Sequence, residues 1–230
     1  YLSGILHNIS LPEGSVIRAM KQNIGRGQQG SIWESESGKN LLLSFLFYSS
    51  FIASKDVFLL NKTFALGIYD FISKYLGKKV SIKWPNDIYW ENKKVSGLLI
   101  ENSINGSMIN YSILGVGINI NQNFYSAKIS NPTSFSMVKH KDYNLEELFN
   151  SLCSYIEVRY LQLKSGDHKK IDEDYLSVLF SFGTWKMYES MNKRFKGRIQ
   201  GVDESGKLII QIENGEERRF DLKEIKFIDH

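Results

Sequence analysis

Four short stretches of this chain combine glycines, cations and amides in a way that suits the handling of anions. GRGQQG, residues 25–30, fits G-x-G-x-x-G. KWPNDI, residues 83–88, sets a lysine and an aromatic before a rigid proline turn and two polar groups. KKVSGLLIE, residues 93–101, puts Lys94 at the mouth of an apolar run with Gly97 inside it. GVGINI, residues 115–120, again places glycines in apolar surroundings and adds Asn119. Glycines let successive backbone N–H groups converge on one anion, and Arg26 adds a fixed charge. Gly97 within a strand signals close approach by a ligand or another backbone. Singly, each has a plain reading: solvated lysines at 83 and 94, a turn or cap at Asn119, core at Trp84, a simple glycine turn at 25–30. Their shared theme, cations and amides at strand ends, favours one anion-handling site.

Two other uses of a glycine loop fail on context. A dinucleotide-binding turn needs a helix at once after the third glycine and an acidic residue about 20 positions on. Residues 31–38, SIWESESG, read as a loop, and LLLSFLFY at 41–48 holds no acid. A kinase needs the VAIK lysine, HRD and DFG, none of which is present. His7, His140, His168 and His230 have neither metal-ligand nor triad-like spacing, which disfavours zinc and Ser-His-Asp chemistry. Cys153 is the only cysteine, so a disulfide framework is excluded and a reducing, cytoplasmic setting is expected. Twenty-nine basic against 25 acidic residues leave a net charge of +4, with no basic run longer than a pair, too weak a signal for nucleic acid. No apolar run approaches the ~18 residues of a membrane span. The chain opens on Tyr1 rather than Met, with no signal peptide visible, and is expected to begin after some residues were removed.

The elements that must carry these residues follow from periodicity. Strands are expected over residues 15–20, leading into the glycine loop, over 41–48, and over 80–84, stopped by Pro85. Asp56 is the expected N-cap of a helix to Leu76, with Phe64, Ile68, Phe71, Ile72 and Tyr75 on one stripe and Gly77 closing it. Residues 95–103 and 108–118 read as strands joined through Asn105-Gly106. Amphipathic helices are expected over 145–163 and 171–180. From Trp185 onward, short strands alternate with turn signals, so a small all-β module is placed after a boundary near Gly183.

With these motifs in this order and spacing, the chain resembles the biotin protein ligase family from about residue 2 into the C-terminal module. The pairing of KWPND with K-x-x-G-x-L-x-E is its most specific mark. The resemblance implies an α+β fold of the class II aminoacyl-tRNA-synthetase-like kind. A mixed, mainly antiparallel sheet flanked by helices would span residues 1–182, and an SH3-like β-barrel 183–230. It implies that biotin and ATP give biotinyl-5′-AMP, and that a lysine of a biotin carboxyl carrier protein, as in acetyl-CoA carboxylase, then takes the biotinyl group. Biotin's carboxylate must meet the α-phosphate of ATP, so positioning and charge neutralisation dominate and no general base is needed.

Residue by residue, the resemblance puts Arg26 and Lys94 around the carboxylate and α-phosphate, and Lys83 at the ATP phosphates. Gln22 would meet the biotin ring, and Gly25, Gly27 and Gln28 belong to the closing loop. Gly97 and Leu99 would line the biotin pocket. Trp33 would stack on adenine, Asn119 would lie on the adenine side, and Asn86 and Asp87 beside the phosphates. Mg²⁺ is expected with ATP, its ligands unassigned. The chain departs from the family at Gln28, where arginine is usual, and at Lys21, Asn23 and Ile24 around Gln22. It also starts just past the family's Ser-Thr-Asn element. No helix-turn-helix segment precedes the core, so DNA binding is not expected, and a homodimer is compatible with the family. Two other readings remain open here: a lipoate or octanoate protein ligase, and a non-catalytic biotin or nucleotide binder.

Overall fold

The computed structural model describes residues 2–6, 8–23, 25–30 and 32–228; Tyr1, His7, Ile24, Ser31 and His230, used above, lie outside the described residues. The chain runs from helix α1 (Leu2–Leu6) to strand β1 (Val16–Arg18), then through β2 (Gly25–Arg26) and β3 (Ile32–Trp33) to β4 (Leu41–Phe47). Helix α2 (Val57–Leu76) leads to β5 (Val80–Lys83), β6 (Asp87–Trp90), β7 (Lys93–Asn105) and β8 (Met108–Ile118). Helices α3 (Phe135–Lys139), α4 (Leu145–Lys164) and α5 (His168–Ser177) follow. The chain closes with β9 (Trp185–Ser190), β10 (Lys193–Val202), β11 (Leu208–Ile212), β12 (Glu217–Phe220) and β13 (Lys226–Phe227).

A six-stranded sheet in the order β1-β4-β8-β7-β6-β5 carries the site. Every pairing between its named strands is antiparallel. The mixed character comes from parallel bridges at Ile82–Leu179 and Lys94–Pro132. Strand period sorts the two faces. Leu41, Leu43, Phe45 and Phe47 of β4, with Leu98 and Ile100 of β7 and Leu114, Val116 and Ile118 of β8, point to the helices. There they meet Phe64, Ile68, Phe71 and Ile72 of α2, all fully buried. Burying each such side chain contributes roughly 1.5–3 kcal/mol, and this layer anchors the sheet. On the opposite face α1 covers only one part, packing Leu2 on Leu46 and Ile113. The rest of that face is left for the site.

The expected α2 begins after Asp56, but the Asp56 side chain makes no capping bond; a 3₁₀ turn, Ser54–Asp56, leads in instead. Gly77 ends the helix at φ 85°, its N–H donating to Ser73 O. Asn144 caps α4, its Oδ1 accepting from the Glu146 N–H at 2.9 Å. The expected strand over 15–20 is confined to Val16–Arg18. The helix expected over 171–180 ends three residues early. Residues 178–180 instead pair with the sheet's edge: the Ile82 N–H donates to Val178 O, and the Phe180 N–H to Ile82 O. An exposed strand edge is thereby satisfied, and that gain outweighs another helical turn.

The C-terminal module forms an antiparallel five-stranded sheet, β12-β11-β10-β9-β13, of the SH3-like kind, around Tyr188, Ile199, Leu208, Ile210 and Phe220. It docks on the first sheet. The Trp84 indole N–H donates to Gly206 O at 2.8 Å. A Cβ on Gly206 would fall 2.5 Å from Phe58 of α2, so only glycine permits this approach.

Candidate functional site

Register builds the floor of the site. Leu42, Gly117, Gly97, Asp87 and Lys83 are successive cross-strand partners on β4, β8, β7, β6 and β5. Ser44, Gly115 and Leu99 form the next row. Three glycines in two neighbouring rows strip the sheet of side chains just where α1 stops covering it. The result is a cavity of about 760 Å³, within the range of small-molecule sites.

One tight turn delivers the polar end of the floor. Residues 84–86 connect β5 to β6, with Trp84-Pro85 in the cis form. The Asn86 amide Nδ2 donates to Leu98 O at 2.5 Å, and the Leu98 N–H returns a bond to Asn86 O at 3.0 Å. Asn86 thus staples the turn to β7 and lies on the cavity wall. Asp87 emerges beside it and holds the Lys94 ammonium, with Nζ 2.6 Å from Oδ1. Leu99 and Gly97 also line the cavity.

The glycine loop is a ribbon. β2 and β3 pair through Gly25–Trp33 and Arg26–Ile32, with a 3₁₀ turn, Gln28–Gly30, between them. Gln22, Arg26, Gly27, Gln28 and Trp33 line the cavity from this side. Arg26 grips Glu101 of β7 in two-pronged fashion, Nη1–Oε1 at 3.2 Å and Nη2–Oε2 at 3.4 Å. The Trp33 indole lies on the glycine floor: a Cβ on Gly117 would be 2.5 Å from its Cε2, and one on Gly97 3.3 Å from Cζ3. Lys94 Nζ stands 5.6 Å from the centre of the same ring. The indole N–H is buried and has no partner among the described residues.

Three residues expected at the site do not line the cavity. Gly25 is buried within the ribbon, where a Cβ would fall 2.1 Å from the Trp33 carbonyl oxygen. Lys83 ends the floor row, but its ammonium lies 4.8 Å from the Tyr89 ring centre and 4.9 Å from that of Phe227. Burial is the largest influence there and lowers its pKa to about 8; Asp87 pushes the other way and Lys94 adds repulsion. Asn119 is buried, its Nδ2 donating to Thr133 O at 3.0 Å. Its Oδ1 has no partner among the described residues.

The structure adds wall residues to which no role was given from sequence. Glu101 was visible as the last letter of the KVSGLLIE stretch, but nothing local tied it to Arg26. Arg18 comes from β1, where Glu146 and the Phe149 ring hold it. Leu222 and Lys223 come from the C-terminal module, between β12 and β13. No sequence signal could have placed them, because the docking of one sheet on the other decides it. Chemically, the cavity joins a glycine-rich floor, the Trp33 indole, several cations, Arg26 and Lys94 among them, and the amides of Gln22, Gln28 and Asn86: the makings of a site for a flat apolar ligand bearing an anion.

Comparison with known proteins bears on that chemistry. The model of the biotin/lipoate A/B protein ligase family matches residues 3–119, and that of the biotin protein ligase C-terminal domain matches residues 190–222. The bifunctional ligase/repressor BirA of Bacillus spizizenii is 27% identical over 213 residues, covering 91% of this chain and 65% of its own. The chain therefore spans 65% of the length of that relative. The biotin–[acetyl-CoA-carboxylase] ligase of Paracoccus denitrificans is 24% identical, covering 85% of this chain and 83% of its own. Among solved structures, the biotin protein ligase of Aquifex aeolicus in complex with biotin and ATP aligns with a TM-score of 0.80 at 25% identity. That alignment covers 97% of this chain and 92% of the Aquifex chain.

Proposed function

We propose that this chain, which belongs to the biotin/lipoate A/B protein ligase family, is an ATP-dependent biotin protein ligase. The observation that carries the reading is the meeting of Arg26, Lys94, Gln22 and Trp33 over one glycine floor. A biotin carboxylate oxygen attacks the α-phosphorus of ATP. The new O–P bond forms as the bond to the β-phosphate oxygen breaks, and pyrophosphate leaves with that electron pair. A carrier lysine amine then attacks the acyl carbon, loses a proton, and AMP departs.

Each residue's part follows from its chemistry. Arg26 and Lys94 neutralise the carboxylate and α-phosphate as they approach. At contact distance in a partly shielded site a cation of this kind is worth ~4 kcal/mol. Gln22 can donate to and accept from the ureido group of biotin, while Gly97 and Leu99 form the wall along the ring. Gly25 and Gly27 let the ribbon close, and Gln28 offers the phosphates a hydrogen-bond donor without a charge. Trp33 leaves the floor to stack on adenine, and the unpartnered Oδ1 of Asn119 is an acceptor suited to an exocyclic amine. Lys83 acts on the phosphates from the end of the floor row. Magnesium typically uses one or two carboxylates and completes its shell with phosphate and water oxygens; Asp87, next to Asn86 on the wall, fits that donor set.

Residues 1–182 form the catalytic domain in this reading, and residues 183–230 support it. The acceptor is a lysine of a carboxylase carrier domain, as the name of the Paracoccus relative suggests. A cytoplasmic setting, where ATP is at hand and the Cys153 thiol stays reduced, suits this reading. Pyrophosphate release is the test. Release driven by biotin and not by lipoate is expected. Turnover with lipoate alone would move the assignment to the other branch of the family, and biotin binding without release would make the protein a binder.

A further inference from the structure

Arg26 is engaged before any ligand arrives. Both outer guanidinium nitrogens meet both oxygens of Glu101. Burial does not force this pairing, since the two side chains are 65% and 46% exposed. A guanidinium takes a carboxylate or a phosphate with the same planar fork. Glu101 and a ligand anion therefore compete for the same donors. Glu101 lies on the cavity face of β7, two residues beyond Leu99 and four beyond Gly97, so the competition occurs at the wall of the site. Two neighbours repeat the pattern. Lys94 is held by Asp87, and the Trp33 indole covers the floor that a flat ligand would use. Arg26 and Trp33 belong to one paired ribbon, so the Glu101 contact also holds Trp33 over the floor.

We infer that Glu101 is an internal counter-anion that controls ligand entry: it holds Arg26 in the ligand-free protein and must release it to the ligand's carboxylate or phosphate. This rests on the reading of the cavity as the biotin–adenylate site. The pair exists only without ligand, so its removal affects association and leaves dissociation alone.

The test is stopped-flow binding of biotinyl-5′-AMP, and separately of AMP, to the full chain, its Glu101→Gln, Glu101→Asp and Arg26→Ala variants, and the Arg26→Ala/Glu101→Gln double variant. Glu101→Gln is expected to bind about 2- to 5-fold faster, as fits loss of an exposed ion pair, with unchanged dissociation and a ligand-free thermal midpoint lowered by no more than about 4 °C. Glu101→Asp, which restores the charge, returns the rate toward that of the parent. In the Arg26→Ala background the Glu101 change has no effect. Unchanged or slower association in Glu101→Gln overturns the inference. So does equal acceleration without Arg26, which would mean general repulsion of anions, and so does faster dissociation, which would mean that Glu101 touches the ligand. If AMP shows the effect and biotinyl-5′-AMP does not bind, the counter-anion stands and the biotin reading falls. Binding of neither ligand to the parent protein overturns both.

Discussion

Lys94 shows how one side chain joins the parts of the site. Its ammonium touches Asp87 of β6, lies near the Trp33 ring, and is less than a third exposed. A partly shielded, preorganised cation is worth far more to a developing charge than a solvated one. Lys94→Ala is therefore expected to slow adenylate formation by ~10²-fold or more, read as single-turnover pyrophosphate release; near-normal turnover would remove Lys94 from the chemistry. Lys83 makes a prediction about pH. Burial lowers its pKa from 10.5 to about 8, so the folded protein binds that proton less tightly than the unfolded chain does. The penalty for holding the charge is present below pH 8 and is relieved as pH rises toward 10.5, so this group adds stability across that window. Over the same window the ammonium is lost. Pyrophosphate release should fall with an apparent pKa near 8, and Lys83→Arg, which stays charged, should abolish that limb. A basic limb unaltered in Lys83→Arg would assign it to another group. At position 28 the chain carries glutamine on the cavity wall. Gln28→Arg is expected to leave biotinyl-5′-AMP affinity unchanged or improve it, as measured by calorimetry; marked weakening would mean that the ribbon has a geometry of its own.

At the scale of elements, the strand–turn–strand of β5 and β6 is the piece that most needs its tertiary partner. Asp87 belongs to β6, which the sequence left unassigned because Pro85, Asn86 and Asp87 are turn formers. Pro85 and Asn86 do turn, but the strand begins at Asp87 because β7 supplies a ladder there. Asn86→Ala removes the amide that caps Leu98 O and leaves that carbonyl buried. A loss of about 1–3 kcal/mol is expected, seen as a lower urea midpoint together with slower adenylation while Lys94 is intact. An unchanged midpoint would show that the turn stands without the staple. An almost unbroken apolar run made β4 legible, and the Asn105-Gly106 turn signal did the same for the β7–β8 hairpin. Helix α3 and the two-residue strands of the ribbon were not legible, because a single helical turn shows no stripe and two residues show no alternation.

For the whole molecule, the C-terminal module supports the Lys83–Asp87 end of the floor row. Trp84 sits in the turn before Asp87 and reaches Gly206, in the turn between β10 and β11. Leu222 and Lys223 approach the cavity from the same module, and Phe227 packs against the Lys83 ammonium. Trp84→Phe keeps the ring's bulk but deletes the indole N–H. It should cost about 1 kcal/mol, and up to about 3 if the Gly206 carbonyl stays buried without a partner. Urea unfolding followed by tryptophan emission and by far-UV signal checks this, and an unaltered midpoint would mean that the two sheets are held by packing alone.

By itself the sequence determined the residue types of the site, the order of the main strands and helices, and the presence of a separate β-rich end. Those follow from local pattern, from motif spacing and from a family resemblance carried by a few specific letters. The tertiary structure alone decided which residues meet. Cross-strand register aligned Leu42, Gly117, Gly97, Asp87 and Lys83 in one row, and sheet docking brought Lys223 to the cavity and drew Lys83 toward Phe227. It also gave Arg26 to Glu101, 75 positions away in the chain. A pairing over that distance depends on the loops and sheets that bring its partners together, and no window of sequence contains that information.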